Sequence, residues 1–181
     1  MRQKGFAPIL VAIVVLVIVG VAGFIYYQKP TLLSPKTTSV PNPSETTPRM
    51  WGTSMLPTLK EGDILNINEG FDRKMLKRGD LVVYKDNTNS DKIIGPKRII
   101  ALGGDTLKVV NGIIYLNGNK LEEKYLLEQA STTPTKYLPE NTDIVIPNNT
   151  VFLMGDNRQH SADSRMSGPL SVDKIFGIVE I

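Results

Sequence analysis

Three short stretches of the 181-residue chain carry side chains able to move a proton or attack a carbon. The first, Gly52-Thr53-Ser54-Met55-Leu56-Pro57-Thr58-Leu59, sets a serine near a glycine and just ahead of a proline. Such a serine is ordinarily a turn residue; it becomes a nucleophile only where a neighbour takes its proton. The second is Lys97-Arg98-Ile99-Ile100, where a lysine at the head of an apolar run is ordinarily a solvated charge. The third is Gly155-Asp156-Asn157-Arg158, followed by Ser161, Asp163, Ser164 and Arg165. By composition it is a polar loop of paired charges. His160 within it is the one residue that could complete a Ser-His-Asp arrangement. Asp156 and Asp163 could make a carboxylate dyad, although each has an arginine close by to pair with. The chain has no cysteine and a single histidine, which removes disulfides, thiolate metal sites, cysteine nucleophiles and any multi-histidine metal centre. No metal or cofactor is expected.

The elements that must position these residues are short strands. Leu81-Val82-Val83-Tyr84 and Ile99-Ile100-Ala101-Leu102 are compact apolar runs bounded by Gly-Asp pairs. Val109-Val110, Ile113 to Leu116 and Leu121 are separated by Asn111-Gly112 and Asn117-Gly118, and Asn-Gly between apolar runs is a strong hairpin signal. Ile144 to Ile146, Val151 to Met154 and Ile175 to Ile181 complete the set. Leu121 to Gln129 and Ser161 to Arg165 are the two stretches that read as helical. The expectation is a mostly β, antiparallel-sheet domain with hairpins, spanning 50–181, with no internal repeat.

Ahead of it, Phe6 to Tyr27 is almost continuously apolar and uncharged, long enough for a helix to cross a hydrocarbon core. Arg2 and Lys4 precede it, and Tyr26 and Tyr27 suit the far interface. Residues 1–27 thus read as a single-pass signal-anchor, with the N-terminus in the cytoplasm and the C-terminal domain outside. A cleavable signal peptide has a shorter apolar region, and the alternative of a prepilin site at Lys4-Gly5-Phe6 lacks the acidic residue that follows in pilins. Residues 28–49, rich in Pro, Ser and Thr, cannot build a core and read as a tether. The formal charge of +3 is small, and no basic run is interleaved with aromatics, so nucleic acid is not an expected partner. The apolar fraction of 41% and charged fraction of 22% are those of a folded protein.

Taken together, Ser54-Met55-x-Pro57-Thr58-Leu59, Lys97-Arg98 at the head of a strand, and Gly-Asp-Asn-Arg-x-x-Ser-x-Asp-Ser-Arg from 155 to 165 strongly resemble the bacterial type I signal peptidases. The likeness runs from about Trp51 to the C-terminus, and Arg78-Gly79-Asp80-Leu81-Val82-Val83 resembles another of the family's blocks. The resemblance implies a membrane-bound serine endopeptidase of the plasma membrane that removes signal peptides from exported preproteins. Their residues −1 and −3 are small. Ser54 would be the nucleophile and Lys97 its general base. A lysine base must be held neutral by burial, for which Ile93, Ile94, Ile99 and Ile100 are the flanking candidates, with Arg98 pushing the same way if turned inward. Ser161 would orient the lysine amine; Asp156, Arg158, Asp163 and Arg165 would form an ionic scaffold. The backbone N–H of Ser54 would hold the oxyanion, and Met55 and Pro96 would border the substrate pocket. His160 falls at a variable place in the motif.

Several positions depart from the family pattern. Gly52 supplies no hydroxyl where some members have one, although glycine is also common there. Gly103 stands for a usual proline and should make its turn more flexible. Pro96 replaces an aliphatic residue on the segment beside which the substrate adds as a strand, so one main-chain N–H is missing there. Asn149 replaces a glycine and is the next best residue at positive φ. The tether is long, and Met50 with Trp51 is expected to touch the bilayer surface and bring Ser54 back to it, making lipid a partner. Two other readings stay in view. A non-enzymatic tethered β domain would need the serine or lysine to be absent. A self-cleaving repressor-type Ser/Lys protease would carry a DNA-binding module where this chain has an apolar span.

Overall fold

The computed structural model describes residues 48–85, 92–128 and 130–181. The expected membrane span, residues 28–47 of the expected tether, and Gln129 lie outside them. Among the described residues no helix is long and apolar enough to cross a membrane.

Among the described residues, ten strands form two antiparallel sheets. One runs in the order β1 (Asn66–Asn68), β10 (Ile175–Glu180), β2 (Leu81–Lys85), β3 (Ile93–Leu102), β8 (Thr150–Met154), β9 (Leu170–Ser171). The other runs β6 (Asn119–Lys120), β5 (Ile113–Leu116), β4 (Thr106–Val110), β7 (Ile144–Val145). Both Asn-Gly pairs are tight turns with two consecutive positive φ values, 49° and 77° at Asn111-Gly112 and 51° and 80° at Asn117-Gly118. That backbone matches the twist of flanking strands and sets the register Val110 opposite Ile113 and Leu116 opposite Asn119. Asn149 also has positive φ, 59°.

Strand β3 is the spine of the domain. It faces β2 with Leu81 opposite Arg98 and Val82 opposite Lys97, and a bulge then sets Gly95 and Pro96 against Val83. On its other side β8 pairs only from Arg98 to Leu102. Residues 93–97 therefore have no strand on that side among the described residues. Side chains alternate between the faces of a strand, so Lys97 and Ile99 share one face while Arg98 and Ile100 take the other. Ile99 packs with Val82, Leu153, Leu170 and Ile175; Ile100 packs with Leu107, Ile114, Phe152 and Met154, the cluster that joins the two sheets. A third cluster, of Met50, Met55, Leu59, Leu65, Leu81, Val83 and Val179, clamps the segment around Ser54 onto β2 and β10.

Four expectations are corrected. Residues 121–128 form turns, not a helix, because Tyr125 lies under the Arg98 guanidinium at 4.0 Å and Glu123 pairs with Arg158; those contacts override local propensity. Of the stretch from Ser161 to Arg165, Ser161 and Asp163 are extended, and only Ser164–Ser167 makes a single turn, α1, capped by the Asp163 carboxylate. Met50 is 2% exposed in the core, so it cannot reach a bilayer; Trp51 beside it is 86% exposed. Gly103 is packed, not flexible: a Cβ there would lie 2.9 Å from Asn148 Cα and Pro147 O.

The turn that follows β3 is held by Asp105, which takes hydrogen bonds from the Leu102 N–H, the Asn117 amide and the Arg78 guanidinium. Burial acts to raise this carboxyl, but those donors outweigh it and hold it down to about 2. A carboxyl lowered on folding contributes stability above its unfolded pKa of about 4, and that stability is lost as pH falls towards about 2. Arg78 is half exposed, so the effect is modest. Asp105→Asn should lower stability at neutral pH by about 1–2 kcal/mol and flatten part of the loss between pH ~4 and ~2, read from urea midpoints across that range.

Candidate active site

The Ser54 hydroxyl and the Lys97 amine meet from opposite sides of a cleft. Ser54 sits in an irregular turn that Met55 and Leu59 anchor in the core, and Lys97 projects from β3 where it faces Val82. Lys97 Nζ lies 2.9 Å from Ser54 Oγ and 3.1 Å from the carbonyl oxygen of Pro96. The amine is in the interior, with Lys97 5% exposed. Dehydration penalises its charged form more than Asp163 and Asp156 favour it, so its pKa lies below that of a free lysine. The dry surroundings differ from the expected ones. Ile99 shares the lysine's face, Ile100 belongs to the opposite one, and Ile93 is exposed. Arg98 is turned away from Lys97, so its charge does not push on the amine.

Arg98 instead grips Asp156 with Nε at 2.8 Å and Nη2 at 2.6 Å. Thr58 Oγ1 donates to the same carboxylate at 2.5 Å. Asp163 pairs with Arg165 through Nε and Nη2, both at 2.8 Å. It also accepts the Gly155 N–H at 3.0 Å. Burial acts to raise the Asp163 carboxyl, and Arg165 with the Gly155 N–H overcomes it and leaves the group below the usual carboxylate range. Arg158, grouped with Asp156 in the sequence reading, pairs with Glu123 instead and donates to Thr132 Oγ1 at 2.6 Å. Glu123, Thr132 and Tyr125 were missed from sequence. The loop's two aspartates and two arginines balance in the sequence, so nothing there signals that Arg98 takes Asp156 and leaves Arg158 to Glu123.

Ser161 is brought beside the pair but not bonded to the lysine. Its hydroxyl is sealed from solvent and close enough to Asp163 to lower that carboxyl slightly, yet it makes no hydrogen bond of ordinary geometry. Gly155 lies between it and Ser54: a Cβ there would collide with Ser161 Oγ and with the Ser54 carbonyl oxygen. The Ser54 N–H has no hydrogen-bond partner among the described residues, and Gly52, with φ of 75°, has open space around it. His160 is exposed, with Nδ1 3.1 Å from Asn157 Oδ1, and does not reach Ser54. Asp156 and Asp163 are each taken by their own arginine and form no dyad. Among the described residues no cluster of acids and histidine could hold a metal ion.

Met55 is wholly buried under Ser54 and packs against β2 and β10, and Pro96 is buried beside the amine. Neither lines the cavity of about 310 Å³ that opens beside this centre between Tyr84, Ile94, Leu153, Ala162, Met166 and Leu170.

The family model described as "Signal peptidase, peptidase S26" matches residues 45–181. The signal peptidase I of Bacillus caldolyticus is 36% identical over 137 residues, covering 71% of this chain and 74% of the relative. Signal peptidase IB of Staphylococcus aureus is 34% identical over 140 residues, covering 71% and 72%. A crystal structure of a signal peptidase I from Enterococcus faecalis aligns over 58% of this chain and 97% of that one, with a TM-score of 0.48 and 24% identity. With most of its length matched by the family and by relatives of that identity, the chain belongs to the signal peptidase family, peptidase S26.

Proposed function

We propose that this serine endopeptidase removes signal peptides from exported preproteins with Ser54 as nucleophile and Lys97 as general base. The observation that carries the reading is the buried amine of lowered pKa 2.9 Å from the serine hydroxyl. A neutral amine has two N–H bonds and one lone pair. With one N–H engaged by the Pro96 carbonyl, the lone pair can accept the Ser54 proton. Ser54 Oγ then bonds to the scissile carbonyl carbon, and the Ser54 N–H receives the oxyanion. Lys97 passes the proton to the leaving amine as the C–N bond breaks. Water, giving a proton to Lys97 in turn, attacks the acyl ester, and Lys97 returns that proton to Ser54 Oγ as the ester C–O bond breaks, restoring the hydroxyl and the neutral amine. Ser161, with an unpartnered hydroxyl across Gly155, is available to hold the amine once Ser54 is acylated.

The bare side of β3 from Ile93 to Lys97 is where an extended signal peptide would add by main-chain pairing, running past Ile94 and the adjoining cavity. At position 96 it would find no N–H to pair with. Residues 1–27 fit a single-pass anchor in the plasma membrane, residues 28–49 a tether, and 50–181 the extracytoplasmic catalytic domain. Pro48 and Arg49 already pair with Leu65 and Ile64 at its edge. Trp51, fully presented to solvent three residues before Ser54, suits contact with the lipid interface.

Ser54→Ala and Lys97→Ala should each reduce preprotein cleavage by more than about a thousandfold, on the scale of losing a nucleophile or its base. Wild-type kcat/KM should rise with pH through the amine's titration, below the range of a free lysine, because only the neutral form accepts a proton; a retained rate in either variant sinks the reading. Gly155→Ala should separate Ser54 from Lys97 and lower kcat by about 10²-fold or more in a chain whose unfolding midpoint shows that it still folds. Trp51→Ser should reduce cleavage in vesicles more than in detergent, and its loss should remove a lipid-dependent blue shift in fluorescence.

A further inference from the structure

We infer that Asn157 is a positioning residue of the reaction: it fixes both peptide planes that flank Ser54 and so aims the N–H that receives the oxyanion. The Asn157 N–H donates to the Ser54 carbonyl at 3.0 Å, and Asn157 Nδ2 donates to the Thr53 carbonyl at 3.1 Å. One residue thus holds the planes on the two sides of the Ser54 Cα. The Thr53 carbonyl and the Ser54 N–H belong to the same planar trans peptide, so they point in opposite directions. Fastening the carbonyl towards Asn157 turns the N–H the other way, and among the described residues that N–H is unspent. The Leu56 N–H is a second donor to the Thr53 carbonyl, at 3.2 Å, and resists the same rotation.

Asn157 is itself held for this task. It precedes the short turn Arg158–His160 but its side chain does not cap that turn. Its Oδ1 faces His160 Nδ1 at 3.1 Å. Since the Thr53 carbonyl can only accept, the amide must present Nδ2 to it, and Oδ1 is left to take the imidazole N–H. Asn157 also follows Asp156 directly, whose carboxylate is locked by Arg98. The need for such a clamp comes from the other side of the serine. Gly52 has φ of 75°, nothing within 4 Å of its Cβ position and no side chain to offer the oxyanion. With one main-chain donor to do the work, the direction of that donor governs the stabilisation.

The inference rests on Ser54 as nucleophile, and the experiment separates the two. In the full-length protein, cleaving a preprotein, Asn157→Ala and Asn157→Asp are compared with wild type and with Ser54→Ala. Both Asn157 variants keep the main-chain donor; Asp keeps the shape but turns an acceptor to the Thr53 carbonyl, and it carries the test if the alanine variant fails to fold. Expected for each is a fall in kcat of roughly 10- to 100-fold with KM within about twofold, Asp no better than Ala, and an unchanged acidic limb of the pH–rate profile. Affinity for a substrate-derived peptide aldehyde, whose adduct carries a tetrahedral oxyanion, should weaken in proportion, while product-peptide affinity stays constant. Wild-type kcat in Asn157→Asp, a rise confined to KM, or a lost kcat with aldehyde affinity intact overturns the inference. An active Ser54→Ala would instead overturn the nucleophile reading beneath it.

Discussion

Whether the Lys97 amine is charged decides the state of everything around it. Its dehydration opposes charge; Asp163 and Asp156 favour it. A bare carboxylate buried close by would win that contest, because ion attraction is strong where water is excluded. Each of these acids is instead gripped by a guanidinium, Arg98 on Asp156 and Arg165 on Asp163, and dehydration of the amine outweighs the attraction they exert on it. The ion pairs around the cleft therefore hold the two acids in place, while burial lowers the pKa of the amine in spite of them.

The sheet supplies the division of labour. Adjacent residues on β3 emerge on opposite faces, which sends Lys97 to the serine and Arg98 to Asp156, Thr58 and Tyr125. One strand thus delivers the lysine that faces Ser54 and, on its reverse, the arginine that pairs with Asp156. Gly155 then lets the polar loop close on Ser54 without a side chain in between, and the Asp163 carboxylate ties the start of that loop to its end through the Gly155 N–H and Arg165. Arg165 also takes the carbonyls of Arg158 and Ser161. The charged groups of the loop are thus paired, while the Ser161 hydroxyl is left without a hydrogen bond.

The parts legible in the sequence were those with local causes. Asn111-Gly112 and Asn117-Gly118 announce their turns through backbone conformation alone, and the apolar runs around them became strands. Ser54 and Lys97, 43 residues apart, stood out by motif, and the fold brings them together. What failed were the choices set by tertiary partners. Asp156 has an arginine two residues away yet pairs with Arg98, because strand alternation presents Arg98 to it. Glu123 and Tyr125 look helical in isolation but are drawn to the arginines. Met50 reads as surface beside Trp51, and packing with Leu65, Leu81 and Val179 buries the one while the other stays exposed. No local signal distinguishes these outcomes.

An open sheet edge beside Ser54 is also a hazard, since unpaired backbone invites any extended chain to dock. Here the bare stretch of β3 is short and bulged, has a proline at 96 and ends at a lysine whose head group occupies the proline's own carbonyl. Another copy of the protein, or a stray unfolded segment, would find that stretch unable to continue a regular ladder. The same features that mark this uncovered stretch therefore also disfavour edge-to-edge pairing between copies of the protein.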